Sequence, residues 1–132
     1  MKNADELELL SSLCRNWGSD LFLIQGAGGN FSYKNADRLW VKSSGFLLKD
    51  VASGRGLTEV NISACAAGIP SDVHSPPTAE EELCYYQATG ACRVDLKTPR
   101  PSMEVGFHAL LPYPWILHTH SLAGILLGLL PA

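Results

Sequence analysis

Two histidines one residue apart, His118 and His120, close an apolar run and follow Glu104 by fourteen and sixteen positions. Side chains on a strand alternate faces with period two, so both imidazoles project to one side. Imidazole nitrogen is a favoured zinc donor, and a catalytic zinc commonly takes three protein ligands with a fourth position open to substrate. Taken alone, a His-x-His pair fits two ordinary histidines as readily as two metal ligands. Glu104 adds a second component. A carboxylate beside a metal-bound carbonyl compound can take a proton from the adjacent carbon. Away from a metal, the same glutamate would merely favour a helix dipole from the first turn. His108 lies four residues after Glu104, on the same helical face.

Two short turns form a third component. Gly28-Gly29-Asn30 and Ser43-Ser44-Gly45 combine exposed backbone with short hydrogen-bonding side chains, which suits a phosphate group. Each turn alone is more often only a turn. Gly26-Ala27-Gly28-Gly29 lacks the Gly-x-Gly-x-x-Gly spacing of a dinucleotide site, and a hairpin rather than a helix is expected after it.

The elements that must position these residues follow from periodicity. Leu7, Leu10, Cys14 and Trp17 share one face and predict a helix over residues 4 to 17. Leu21 to Ile24 reads as a short buried strand. Phe31 to Lys34 and Arg38 to Lys42 read as a hairpin around Asn35-Ala36-Asp37, and Leu57 to Ile62 as a further strand. Residues 63 to 78 read as an irregular surface connection. Thr78 with Glu81 three positions on predicts a capping box for a helix over residues 79 to 89. Ser102 is expected to cap a helix from about 102 to 111, ended by Pro112 and Pro114. Trp115 to Leu117 then deliver the two histidines. A last helix from near Ser121 is apolar all round, a pattern that belongs inside a larger protein, and it predicts poor solubility or self-association of the isolated chain.

With 132 residues the chain is one domain by length, and a net charge of −3 makes nucleic acid a poor partner. Cys14, Cys65, Cys84 and Cys92 have no Cys-x-x-Cys spacing, and the N-terminus lacks a signal pattern. Both point to reduced thiols, mostly buried, in a cytoplasmic protein. The longest apolar stretch, nine residues from Leu122 to Leu130, is too short for a membrane span, which needs about twenty.

Taken in order, Gly26-Ala27-Gly28-Gly29-Asn30-Phe31-Ser32, Leu39-Trp40-Val41-Lys42-Ser43-Ser44-Gly45, Arg100-Pro101-Ser102-Met103-Glu104 and His118-Thr119-His120-Ser121 resemble the motifs of the class II aldolase/adducin family. The likeness spans residues 5 to 130 and is weakest over 55 to 98. The spacer from His108 to His118 is similar to that of a bacterial branch often found in larger or fused proteins.

The resemblance implies an α/β fold, a three-layer α/β/α sandwich around a mostly antiparallel sheet. It implies one domain over residues 1–132, truncated at its C-terminal side, with the sheet incomplete there. The implied activity is that of a metal-dependent aldehyde-lyase of carbohydrate metabolism. Such an enzyme cleaves a phosphorylated ketose to dihydroxyacetone phosphate and an aldehyde through an enediolate. On this likeness His118 and His120 hold zinc or another divalent metal, and Glu104 moves the proton. Gly29, Asn30, Ser44, Gly45 and Ser102 cradle the substrate phosphate. The family's third zinc histidine lies well beyond the His-x-His pair, so the third protein ligand is expected to be missing from this chain. Met103 stands where a second serine often precedes the glutamate, and His108 matches a position that is not ordinarily a ligand. A cytoplasmic homo-oligomer, tetrameric by likeness, is implied. The alternatives are a non-catalytic interaction domain of the adducin kind and an inactive split-gene fragment. The retained Glu104, His118 and His120 argue against the first of these.

Overall fold

A tight turn at Ala36-Asp37 folds the chain back on itself and starts the sheet. Asn35 pairs with Arg38, and Ala36 takes φ 52°, a left-handed conformation that an L-residue adopts only at a cost. The computed structural model describes residues 3–72 and 74–131. Its helices are α1 (Ala4–Gly18), α2 (Ile62–Ala67), α3 (Ala79–Ala91), α4 (Val105–Leu110) and α5 (Leu122–Leu129). Its strands are β1 (Asn30–Asn35), β2 (Arg38–Lys42), β3 (Leu57–Asn61) and β4 (Trp115–His118). The four strands form one antiparallel sheet in the order β3-β2-β1-β4.

Alternation along the strands sorts the side chains into two cores. Phe31, Tyr33 and Trp40 point to one face, where they pack with Leu10 and Cys14 of α1 and with Leu48 and Val51 from the connection after β2. Tyr33 stacks on Trp40 at a centroid distance of 5.8 Å and meets Trp115 at 4.5 Å, joining three strands. Leu39, Val41 and Val60 point to the other face, against Cys65 of α2, Cys92, and Val105 and Ala109 of α4. Each large side chain buried this way contributes about 1.5–3 kcal/mol. The sheet is thus covered on both faces, as expected for an α/β/α sandwich. The second face of β1 is different: Asn30 and Ser32 are polar and buried, and they look toward the site.

Three expectations change. Residues 21–24 are not a buried strand. The Asp20 carboxylate accepts from the Phe22 N–H (2.8 Å) and the Asp20 carbonyl from the N–H groups of Leu23 and Ile24, so a local turn satisfies this backbone. Leu21 and Phe22 are 80% and 74% exposed, and only Ile24 is buried. Residues 63–78 are not wholly irregular, because α2 begins at Ile62. Asn61 caps it by accepting from the Ala64 N–H (2.7 Å), and Asp37 from the hairpin turn accepts from the Ser63 N–H (2.8 Å). Ser102 does not cap α4. The helix starts at Val105 with Glu104 at its N-cap position, and the Ser102 hydroxyl reaches only the Glu104 N–H, at 3.5 Å, short of the first helical residue. The capping box of α3 forms as read, and Cys14, Cys65 and Cys92 are buried while Cys84 is exposed. No helix among the described residues is long and apolar enough to cross a membrane.

Candidate active site

Antiparallel pairing of β1 with β4 sets Asn30 directly opposite His118. The first residue of one strand and the last of the other therefore meet at one sheet end, on the face that α4 covers. His120 lies two residues beyond, close against the glycine turn: a Cβ on Gly28 would collide with its ring. Glu104 enters from the N-terminus of α4. Nδ1 of His118 lies 3.0 Å from Oε1 of Glu104, and Nε2 of His120 lies 3.5 Å from the same oxygen.

These three residues offer donor atoms that all lie within 4.8 Å of one another. Two imidazoles and a carboxylate are a donor set suited to zinc and to several other divalent metals. Within the group, Nδ1 of His118 and Oε2 of Glu104 are buried without a hydrogen-bond partner. Buried polar atoms are ordinarily satisfied, so a histidine nitrogen that meets the carboxylate at 3.0 Å without hydrogen-bond geometry, beside a second carboxylate oxygen left unpaired, fits a bound cation. The chain thus offers a third donor, Glu104, beside the two histidines.

The residues read as a phosphate cradle come together around the end of β2. Oδ1 of Asn30 accepts from the Lys42 N–H (3.1 Å), which leaves its buried Nδ2 as an unpaired donor. The Ser102 N–H donates to the Lys42 carbonyl, and the Ser44 N–H donates to the Arg100 carbonyl (2.8 Å). The segment 100–102 is thereby zipped to the turn 43–45. The Ser44 N–H is consequently occupied, and this residue can offer its hydroxyl. Gly29 and Gly45 take φ of 79° and 81°, which only glycine adopts without strain. Met103 is turned away and 80% exposed, and it lines a cleft of about 630 Å³ between α3 and residues 100–103 that also reaches Ser44.

Three supporting contacts have no signature in local spacing. The Tyr85 hydroxyl of α3 donates to the Met103 carbonyl (2.7 Å) and accepts from the Gly106 N–H (3.1 Å), bracketing Glu104 from both sides. A Cβ on Gly106 would stand 2.6 Å from that hydroxyl, so glycine makes the approach possible. His108 is fully buried and lies outside the metal group, with Nδ1 2.6 Å from the Ser32 hydroxyl. Burial lowers its pKa to about 4, so the ring is neutral near pH 7. Lys42 is buried at the hub of the cradle. The Arg100-Pro101-Ser102-Met103-Glu104 stretch signals the glutamate but not the tyrosine that holds it, which comes from the part of the chain with the weakest likeness.

Comparison with known proteins agrees with this geometry at the level of the fold. No family model matches the chain. It is 32% identical to the Uncharacterized oxidoreductase YuxG of Bacillus subtilis (strain 168) over 132 residues, taking in 90% of this chain and 17% of that protein. Among solved structures it is similar to the N-terminal class II aldolase domain of a conserved protein from Thermoplasma acidophilum. The TM-score is 0.77 at 28% identity, over 93% of this chain and 58% of the other. The chain therefore has the fold of a class II aldolase domain, and it spans about a sixth of the curated relative's length.

Proposed function

We propose that this chain carries a class II aldolase-type site, which binds a divalent metal and cleaves a phosphorylated ketose to dihydroxyacetone phosphate and an aldehyde. The observation that supports this most is the meeting of Glu104, His118 and His120 within 4.8 Å, beside a cradle with an unpaired buried donor on Asn30. His118 and His120 would hold the metal, zinc being the ion their chemistry suits best. A divalent metal there supplies Lewis-acid stabilisation of the negative charge that develops on the ketose oxygens.

The chain's own residues do the rest. Nδ2 of Asn30 and the hydroxyls of Ser44 and Ser102 donate to phosphate oxygens, and the missing side chains of Gly29 and Gly45 let the group approach the backbone. Anchoring the phosphate fixes the reacting carbons near Glu104. As the hydroxyl next to the breaking bond gives its proton to water, the carbon–carbon electron pair passes to the phosphate-bearing fragment, which becomes an enediolate, and the other fragment leaves as the aldehyde. Oε2 of Glu104, unpaired in the structure, is the atom that delivers the proton completing dihydroxyacetone phosphate. The relative's name gives oxidoreductase chemistry, but the glycine turn here opens onto strand β1 and not onto a helix, so it lacks the geometry of a dinucleotide-binding turn.

The test is release of dihydroxyacetone phosphate from ketose 1-phosphates, with and without added zinc, cobalt or manganese. Release should require the metal, and Glu104→Gln should slow it by about 10²-fold or more. His118→Ala and His120→Ala should each weaken metal binding in calorimetry. Absence of cleavage with every ion and every ketose phosphate tried, in a folded chain, would sink the proposal.

A further inference from the structure

The cleft of about 630 Å³ between α3 and residues 100–103 has the size of a small-molecule pocket, which is about 300–1,000 Å³. Pro77, Leu83, Tyr86 and Met103 make its walls largely apolar. Leu83, Tyr86 and Met103 are each more than half exposed, and neither core uses them. Among the described residues, Glu104, His118 and His120 take no part in the lining, so the cleft lies outside the metal group. Ser44 is the residue that both the cleft and the cradle touch.

One wall of the cleft carries a fixed cation. The Arg100 guanidinium sits over the Tyr86 ring, its central carbon 3.4 Å from the ring centroid, and it donates to the Tyr86 carbonyl. α3 has a glycine where the arginine crosses it, and a Cβ on Gly90 would collide with the guanidinium. Ring, carbonyl and glycine together hold the group in one place. No carboxylate among the described residues pairs with it. A guanidinium has five N–H donors in a planar fork that matches a carboxylate. The Tyr86 carbonyl is its one acceptor among the described residues, so most of the fork is free. Glu82, the acid of the cleft, stands eight residues before Gly90, about 12 Å away along the helix axis. The end of the cleft at Arg100 is therefore positive.

We propose that this cleft is a second ligand site, which takes a small organic carboxylate: the anionic group on the Arg100 fork and a flat apolar body against Leu83, Tyr86 and Met103. Apolar walls with a few convergent polar groups are the ordinary form of a small-molecule site. A bound ligand lies one residue from Glu104, since Met103 precedes it in the chain and Tyr85, which also lines the cleft, brackets it. The site is independent of the aldolase reading, because it uses neither a metal nor a sugar phosphate.

The chain has two methionines, so labelling the full chain with ¹³C-methyl methionine gives a readily assigned reporter at Met103, identified by its loss in Met103→Leu. The probe is 1-naphthoate, with 1-naphthalenemethanol as its uncharged counterpart. The Met103 methyl resonance should shift and saturate with naphthoate. The alcohol should bind about tenfold more weakly, the loss of a hydrogen bond to a charged group. Arg100→Gln should bring the acid down to the affinity of the alcohol. Should that variant fail to fold, Leu83→Glu decides. Its side chain is exposed and outside both cores, and a second carboxylate in the cleft should weaken naphthoate more than the alcohol. A Met103 methyl that stays fixed throughout the titration would overturn the site, even if naphthoate collects on the apolar surface of α5. Equal affinity for acid and alcohol in the parent chain, or an equal loss of both in Leu83→Glu, would overturn the role of Arg100 and the proposal with it.

Discussion

His108 shows how much of a site can rest on one contact between residues far apart in sequence. Its ring is fully buried, pulled neutral by burial, and held at Nδ1 by the Ser32 hydroxyl at 2.6 Å, while Nε2 has no partner. The bond ties the polar face of β1 to α4, the helix that begins at Glu104. Ser32→Ala would leave both ring nitrogens unpaired in the interior, which should cost about 1–3 kcal/mol. Urea denaturation measures this, and a variant as stable as the parent would show that the ring finds another partner. At this scale, legibility follows sequence distance. His118 and His120 could be read because strand alternation is local, and Glu104 because it lies in a recognisable stretch. The Ser32–His108 pair spans 76 positions, and the Tyr85 bracket on Met103 and Gly106 spans about twenty, so no periodicity encodes either.

Elements were legible where side-chain chemistry writes their ends. Thr78 and Glu81 predict the start of α3, and the structure shows both halves of the box. The start of α2 was missed because one of its caps, Asp37, comes from the hairpin turn. Residues 21–24 look like a strand by apolar content, but Asp20 captures their backbone first. The capping box also yields a pH dependence. The Thr78 N–H, followed by His74, holds the Glu81 carboxyl down to about 2. A depressed carboxyl contributes stability that is complete above its unfolded value, about 4.3, and is lost as pH falls through its folded value. Amide exchange in the first turn of α3 should therefore accelerate as pH drops through that window, after correction for the intrinsic rate. Glu81→Gln keeps a neutral capping-box partner at every pH and should show no such step; a step that survives in the variant would assign it elsewhere. The Tyr85 hydroxyl makes α3 matter to chemistry as well. Tyr85→Phe frees Met103 and Gly106 and, on the proposed function, should lower kcat for the proposed aldol cleavage about tenfold, a fraction of what misplacing a catalytic group by 1 Å can cost. KM should hardly move, because the cradle is untouched. A rise in KM at unchanged kcat would place Tyr85 in substrate binding instead. The hairpin offers a third check. Ala36→Gly removes a left-handed alanine and should stabilise the chain by about 1 kcal/mol in denaturant titration. A loss of stability would mean that glycine's extra freedom in the unfolded chain outweighs the strain relieved.

For the molecule as a whole, both faces of the sheet are covered, yet α5 buries none of its residues. Ser121 caps it by accepting from the Gly124 N–H (3.1 Å), and the Leu122 N–H reaches the Phe22 carbonyl (2.7 Å), docking the helix start on the turn after α1. Composition foretold that this helix needs a cover. It could not foretell that the two cores form without using it, because Leu48, Val51, Val105 and Ala109 already fill the space against the sheet. Helix and turn together present Leu21, Phe22, Ile125, Leu126, Leu127 and Leu129 to solvent, next to His120 and thus beside the metal group. An apolar surface of this kind is removed from water by association. The chain alone should sediment as a species larger than a monomer at about 50 μM, a concentration at which even an interface worth about 7–8 kcal/mol is largely occupied. Leu126→Lys with Leu129→Lys should return it to a monomer without unfolding, since neither side chain contributes to either core. Circular dichroism would confirm the fold, and analytical ultracentrifugation the mass. A parent chain that sediments as a monomer across that range would refute the association, and its apolar helix would then have to be tolerated in water. If the association occurs, metal titration of the monomeric variant tells whether the neighbouring copy matters to the site. Unchanged metal affinity means that Glu104, His118 and His120 of one chain suffice, whereas a large loss means that the assembled surface keeps His120 in place.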